Sequence, residues 1–384
     1  MGKGGFANAR HVFDQQVATR QQAGNTVLYL GRFAHNHRVK LVQQGFELLL
    51  CVLHIATLSE FENHRLGTVN RTGYFTHSDC LKHEMGDGHP ECPERLEAID
   101  THLRATGLAD QLLQRQAPLA DLADVELAHS HHHTQTLRTL TERLTNDIAA
   151  GGPAHAAVDP DTSINPHTWN ASLRAAGAAI AGTDAVMAGE MDNAFCAVRP
   201  PGHHACRDKA MGFCFLNNVA IAALYALERY RLKRVAVVDF DVHHGNGTED
   251  ILSGDPRVLM VGLFQHPFYP YSGADLPASN MLNVPVPANT RGMDIRELVE
   301  MLWIPRLEAF KPEMVFVSAG FDAHRLDDLG QLEMTETDFA WITSRIKDVA
   351  RRHAKGRIVS CLEGGYHLGA LARSVEAHIR ELQI

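Results

Sequence analysis

No two of the seven cysteines stand in a CxxC pair, and thiols scattered over Cys51, Cys80, Cys92, Cys196, Cys206, Cys214 and Cys361 are odd in number. Paired-thiolate zinc modules and disulfide-stapled folds are thereby excluded, and the thiols read as free core fillers in a reducing cytoplasm. Long apolar runs are missing too. The longest, Leu48 to Leu58, contains His54, is too short to span a bilayer and lies too far along the chain for a secretory signal. Nor is there an excess of basic residues: the formal net charge of -9 gives no electrostatic case for direct nucleic-acid binding. Internal repeats and low-complexity linkers are also absent, which leaves a single large domain as the simplest organisation.

What is present changes in character near residue 70. Residues 1–70 are rich in Gln, Asn, His and Arg and are expected to be an N-terminal extension, either poorly ordered or an upstream start-site assignment with the natural chain beginning near Val69. Over residues 71–384, short apolar runs alternate with amphipathic segments. The strands expected are Ala194 to Val198, Val235 to Asp239, Val258 to Leu263, Met314 to Ser318 and Ile358 to Leu362. Helices are expected after Pro93 up to Gly107, over Trp169 to Gly189, and over Asn218 to Arg229, Ile295 to Phe310, Asp338 to His353 and Leu368 to Leu382. Strands apolar on both faces belong in a parallel sheet covered by helices on each side, so the fold class is α/β with a mostly parallel central sheet.

The chemistry collects at the ends of those strands, where open parallel sheets bind ligands. VAVVDFDVHHGNG places Asp239, Asp241 and His243 at every second position as an apolar strand stops, so all three point the same way. RPPGHHA, GFDAH and EGGYH follow three other strands and add His203, His204, Asp322 and Tyr366. Asp241, His243 and Asp322 would give one zinc ion three protein ligands and leave a coordination position open, as catalytic zinc requires. Hydrolysis of an amide or ester is the natural reaction class. His203 and His204 suit the acid and base roles, Tyr366 suits donation to an oxyanion, and Asp239 suits holding a histidine ring. The run His131, His132, His133 is read as a solvated loop or helix start, because consecutive residues cannot face one ion from regular structure.

RPPGHHA, GFCFLNN, DFDVHHGNGT, VSAGFDAH and LEGGYH, in this order and with HPECPERL upstream, resemble the zinc-dependent histone deacetylase family, most closely its class II-like and bacterial amidohydrolase branch. The resemblance implies the arginase-deacetylase fold, one zinc ion on Asp241, His243 and Asp322, and His203 and His204 as the acid and base pair. It further implies Asp239 as the partner of His203, Tyr366 as the oxyanion donor, and a structural potassium ion near Asp239, Asp241 and His243. Gly212, Phe213, Tyr269 and Gly364 would line an acyl-lysine tunnel. Asn246 stands where class I members carry an aspartate, which implies a less basic His204. Leu329 stands where a polyamine-preferring branch carries a glutamate, which tilts the substrate towards acyl-lysine in a protein or peptide and away from an acetylated polyamine or other small amide. Homo-oligomers are compatible with the sequence. A two-metal arginase-like hydrolase is disfavoured because Gly245 replaces a needed carboxylate, and a non-catalytic acyl-lysine binder because every candidate catalytic group is present.

Overall fold

The apolar runs form the middle of one parallel sheet. The computed structural model of the chain describes residues 71–384, so the extension expected over residues 1–70 lies outside the described residues. The strands are β1 (Thr72–Thr76), β2 (Leu113–Gln116), β3 (Ala156–Asp159), β4 (Thr162–Ile164), β5 (Asn193–Cys196), β6 (Val235–Asp239), β7 (Val258–Gln265), β8 (Met281–Val286), β9 (Met314–Ala319) and β10 (Ile358–Leu362). Eight of them make a sheet in the order β2-β1-β5-β10-β9-β6-β7-β8. Every neighbouring pair is parallel. β3 and β4 form a separate antiparallel hairpin.

Alternation along the strands assigns the two faces. Ala194 of β5 and Val359 of β10 face the helix Thr168–Met187, whose Gly182 approaches so closely that a methyl group there would sit 3.3 Å from Ala194 Cβ and 3.5 Å from Val359 Cγ1. Phe195 and Ser360, one residue on, face the other way. There they meet His378 of the helix Leu368–Gln383, with ring centroids 5.6 Å apart and Ser360 Oγ 2.9 Å from His378 Nε2. Helices thus cover both faces, and every residue of β5, β6, β7, β9 and β10 is buried.

The departures from expectation have physical causes. β2, with the sequence LQRQ, and β8, which contains Pro285, are edge strands. Their polar residues and proline hide them from an apolar-run criterion, and both features are tolerated where one side of a strand is unpaired. The helix expected over Ile295 to Phe310 is a helix Gly292–Leu298, a π-turn Val299–Trp303 and a helix Ile304–Phe310. Pro305 has no N–H to give the preceding turn, and the widened turn absorbs that loss. His131 begins a nineteen-residue helix, His131–Ala149, capped by the Ser130 side chain, which accepts from His133 N. The three histidines diverge: His131 pairs with Glu126, while His133 is buried with Nε2 2.8 Å from Phe215 O.

Candidate active site

β5, β10, β9 and β6 are consecutive in the sheet, so the four motif-bearing loops leave it side by side. Asp239 ends β6, and the chain beyond it is held open by its own carboxylates. Asp239 Oδ1 accepts from Asp241 N at 3.1 Å, and Asp241 Oδ1 accepts from His243 N at 2.9 Å. Val242 N donates to Asp322 Oδ1 at 2.9 Å, which ties the end of β6 to the loop after β9. These bonds fix the DxDxH segment so that Asp241 and His243 aim at one point.

At that point one donor atom each from Asp241, His243 and Asp322 lies within 4.8 Å of the other two. His243 Nδ1 is 3.0 Å from Asp241 Oδ1 and 3.2 Å from Asp322 Oδ2. Both carboxylates are almost wholly buried, and Asp322 Oδ2 has no hydrogen-bonded partner. Burial and the Asp241 charge push the Asp322 carboxyl up to about 7. Burial opposes charge on His243 as well, yet Asp241 and Asp322 raise its imidazole to about 10. Two buried carboxylates facing one imidazole nitrogen call for a cation, and one His nitrogen with two Asp oxygens is a donor set that zinc accepts. The surrounding backbone leaves room for nothing larger than hydrogen: a Cβ on Gly320 would lie 2.0 Å from Asp241 Oδ2, and one on Gly364 would lie 1.9 Å from Asp322 Oδ2. Gly364 N donates to Asp241 Oδ2 at 2.8 Å, so Gly364 borders the cluster itself.

His203 and His204 stand beside this cluster with ring centroids 4.0 Å apart. His203 Nδ1 is 3.0 Å from Asp239 Oδ2, and its Nε2 is 3.8 Å from Asp241 Oδ2. His204 Nδ1 is 2.7 Å from Asn246 Oδ1. The Asn246 amide is oriented by two sulfurs, Cys206 Sγ at 3.4 Å and Met211 Sδ at 3.5 Å, which receive its NH2 group. His204 therefore donates through Nδ1 and keeps Nε2 free to accept. Burial disfavours charge on both rings. For His203, Asp241 and Asp239 overcome it and hold the ring well above the usual imidazole range, whereas burial, His203 and His243 hold His204 well below it. Adjacent groups driven apart in basicity are the pattern of an acid and base pair.

Aromatic rings close the space above. Tyr269 meets the His204 ring at 5.3 Å and the His243 ring at 6.0 Å, both edge-on. Phe213 meets Tyr366 at 5.9 Å, and Gly212 lies against the His204 ring. Burial raises the Tyr366 phenol well above its ordinary value; Arg95 opposes the shift, and Asp322 and Asp241 reinforce it, so the hydroxyl stays protonated as a donor. Leu329 is half-buried on the loop that follows Asp322.

Several contributors escape motif reading. Phe268 stacks on His243 at 5.5 Å, one residue before Tyr269. Thr162 of the β3–β4 hairpin accepts from Phe213 N at 2.9 Å, and the hairpin brings the charges of Asp161 and Asp159 to bear on Tyr269. Glu91 and Arg95 of HPECPERL are wholly buried with Arg199, and Arg95 Nε donates to Gly365 O at 2.7 Å beneath Tyr366. HPECPERL and RPPGHHA carry these three residues, but their pairing is set by tertiary contact.

Known proteins resemble the chain over most of its length. The histone deacetylase domain family matches residues 89–382. The chain is 36% identical over 320 residues to the histone deacetylase-like amidohydrolase of Pseudomonas aeruginosa, covering 77% of this chain and 82% of that protein. It is 38% identical over 297 residues to the polyamine deacetylase HDAC10 of Mus musculus, covering 74% of this chain and 43% of that protein. The crystal structure of the HDA15 HD domain matches with a TM-score of 0.75 at 32% identity, over 82% of this chain and 90% of that one. No helix among the described residues is long and apolar enough to cross a membrane. With the site at the ends of four central parallel strands and the family match spanning nearly the whole described chain, this protein is a member of the histone deacetylase family with the arginase-deacetylase fold.

Proposed function

We propose that the chain is a zinc-dependent deacylase that hydrolyses the amide of an acyl-lysine side chain. One observation carries this reading: Asp241, His243 and Asp322 converge beside two histidines of opposed basicity and a protonated tyrosine. Zinc on those three residues would polarise the acyl carbonyl and make water a competent nucleophile at neutral pH. His204, neutral and with Nε2 available, takes the proton of the attacking water. His203, held as imidazolium by Asp241 and Asp239, gives a proton to the leaving amine. Tyr366 donates its hydroxyl hydrogen to the acyl oxygen as charge grows there. Gly212, Phe213, Tyr269 and Gly364 wall the passage for the aliphatic stem, and Leu329 contributes an apolar side at its rim. A structural potassium ion beside the backbone of Asp239, Asp241 and His243 belongs to the same proposal, as do residues 71–384 as the catalytic domain and the cytoplasm as its compartment.

A second reading, hydrolysis of an acetylated polyamine, draws support from the charge of Asp161, felt at Tyr269, which would attract a cationic tail, and from the similarity to the mouse polyamine deacetylase. Turnover of acetyl-lysine peptides, longer acyl-lysine peptides and acetylpolyamines, with metal content measured on the same sample, separates the two. The first reading expects the highest kcat/KM on a lysine peptide, and loss of turnover on chelation. A metal-free protein inert on all substrates would sink both.

A further inference from the structure

The turn over residues 363–367 carries Tyr366, and its peptide groups are gripped from two sides. Arg95 takes the carbonyls, donating Nη2 to Glu363 O and Nε to Gly365 O, with its guanidinium carbon 4.9 Å from the Tyr366 ring centroid. A carboxylate with no part in the proposed chemistry takes the N–H groups. Asp327 Oδ2 accepts from Tyr366 N at 2.6 Å and from His367 N at 3.0 Å, while its Oδ1 accepts from Leu329 N at 3.0 Å. Asp327 is only 6% exposed. A buried carboxylate is tolerated when several donors satisfy it, and here the three donors belong to two different loops. One of those loops follows the metal-facing Asp322, and the other holds the tyrosine.

We infer that Asp327 is a positioning residue: its carboxylate fixes the Tyr366 backbone, and with it the phenol hydroxyl, relative to the Asp241, His243 and Asp322 cluster, and links that placement to the Leu329 loop. The inference rests on the proposed role of Tyr366 as donor to the reacting oxygen. The phenol oxygen lies at the far end of a rigid ring, so a small tilt at the Tyr366 backbone is magnified at the atom that matters. Asp327 also reaches the Leu329 backbone, so a displacement of the rim loop by substrate is transmitted to the tyrosine through a single group.

The test is a double-mutant cycle on the purified, metal-loaded protein with an acetyl-lysine peptide, with kcat, KM, metal content and thermal unfolding measured for each variant. Asp327→Ala is expected to lower kcat about 10- to 100-fold with KM changed by less than about 3-fold, the scale of a misplaced catalytic group. In a Tyr366→Phe background the same substitution is expected to cost less than about 3-fold more, because the two changes remove one interaction. Asp327→Asn is nearly isosteric and offers one acceptor oxygen instead of two, so it answers the question with a smaller loss should the alanine variant not fold. Losses that simply multiply in the double variant, or an unchanged kcat in a folded Asp327 variant, would overturn the inference. If Tyr366→Phe alone turns over normally, the role of the tyrosine fails and this inference with it. A slow Tyr366→Phe with multiplying losses removes the positioning role alone.

Discussion

The floor of the site and its rim are built by different means. The floor, with Asp239, Asp241, His203 and Asp322, comes from residues at or beyond strand ends, its carboxylates tied by the backbone N–H groups that donate to them, and it is almost wholly buried. The proposed rim, with Phe213 and Tyr269, comes from loops whose partners are distant in the chain: Phe213 N donates to Thr162 of the β3–β4 hairpin, and Tyr269 meets the His204 ring. A sheet edge can hold charged groups at fixed separations because each strand is pinned on both sides, while loops are free to differ in what they admit. On this contrast, changes to the floor should alter the rate for every substrate, and changes to the rim should alter which substrate is preferred.

Removing a floor carboxylate has the largest expected effect. Asp322→Asn should lower kcat/KM by at least about 10³-fold, as loss of several kcal/mol of metal stabilisation requires, and should lower bound zinc measured by elemental analysis. Tyr366→Phe should follow, with kcat down about 10²- to 10³-fold and metal content unchanged. Asn246→Asp probes the boundary between floor and loop. A carboxylate facing His204 Nδ1 favours imidazolium and raises that pKa, so the acidic limb of the pH-rate profile should move to higher pH; an unmoved limb removes His204 as the base. At the rim, Asp161→Asn should raise KM for an acetylpolyamine by about 3- to 10-fold, leave kcat within about 2-fold and leave an uncharged acyl amide unaffected. An equal effect on all substrates would erase the distinction between floor and rim.

The smallest effect concerns stability. Burial opposes ionisation of Glu91, but Arg199 and Arg95 outweigh it and lower its carboxyl to about 2. Its folded pKa lies below the ordinary value of about 4.3, so its contribution is complete above that value and is lost as the pH falls towards about 2. The gap in unfolding midpoint between the wild type and Glu91→Gln should therefore shrink as the pH is lowered across that window.

The same division explains what could be read from the chain. β6 is legible because four apolar residues end in alternating polar ones, and the period of two alone aligns Asp239, Asp241 and His243. The convergence of His203 and Asp322 on them is legible because buried parallel strands expose their carboxyl ends together. β2 and β8 are not, since edge strands carry polar residues or proline without penalty. Asp161 and Phe268 are likewise hidden, because they reach Tyr269 and His243 through loop packing that leaves no periodic trace. Asp327 sits in plain sight within DAHRLDDLG, yet its partners at Tyr366 and His367 are set by tertiary contact.

The place of β10 has a consequence for how the molecule comes into being. The strand nearest the carboxyl terminus is not at an edge but between β5 and β9, at the heart of the sheet. Without Ile358–Leu362, β5 and β9 would each present an unpaired edge where β10 belongs. Sealing the sheet is therefore a pairing between segments far apart in sequence, a step that comes slowly. Chains cut short even by a few dozen residues would be left with exposed strand edges in place of an enzyme.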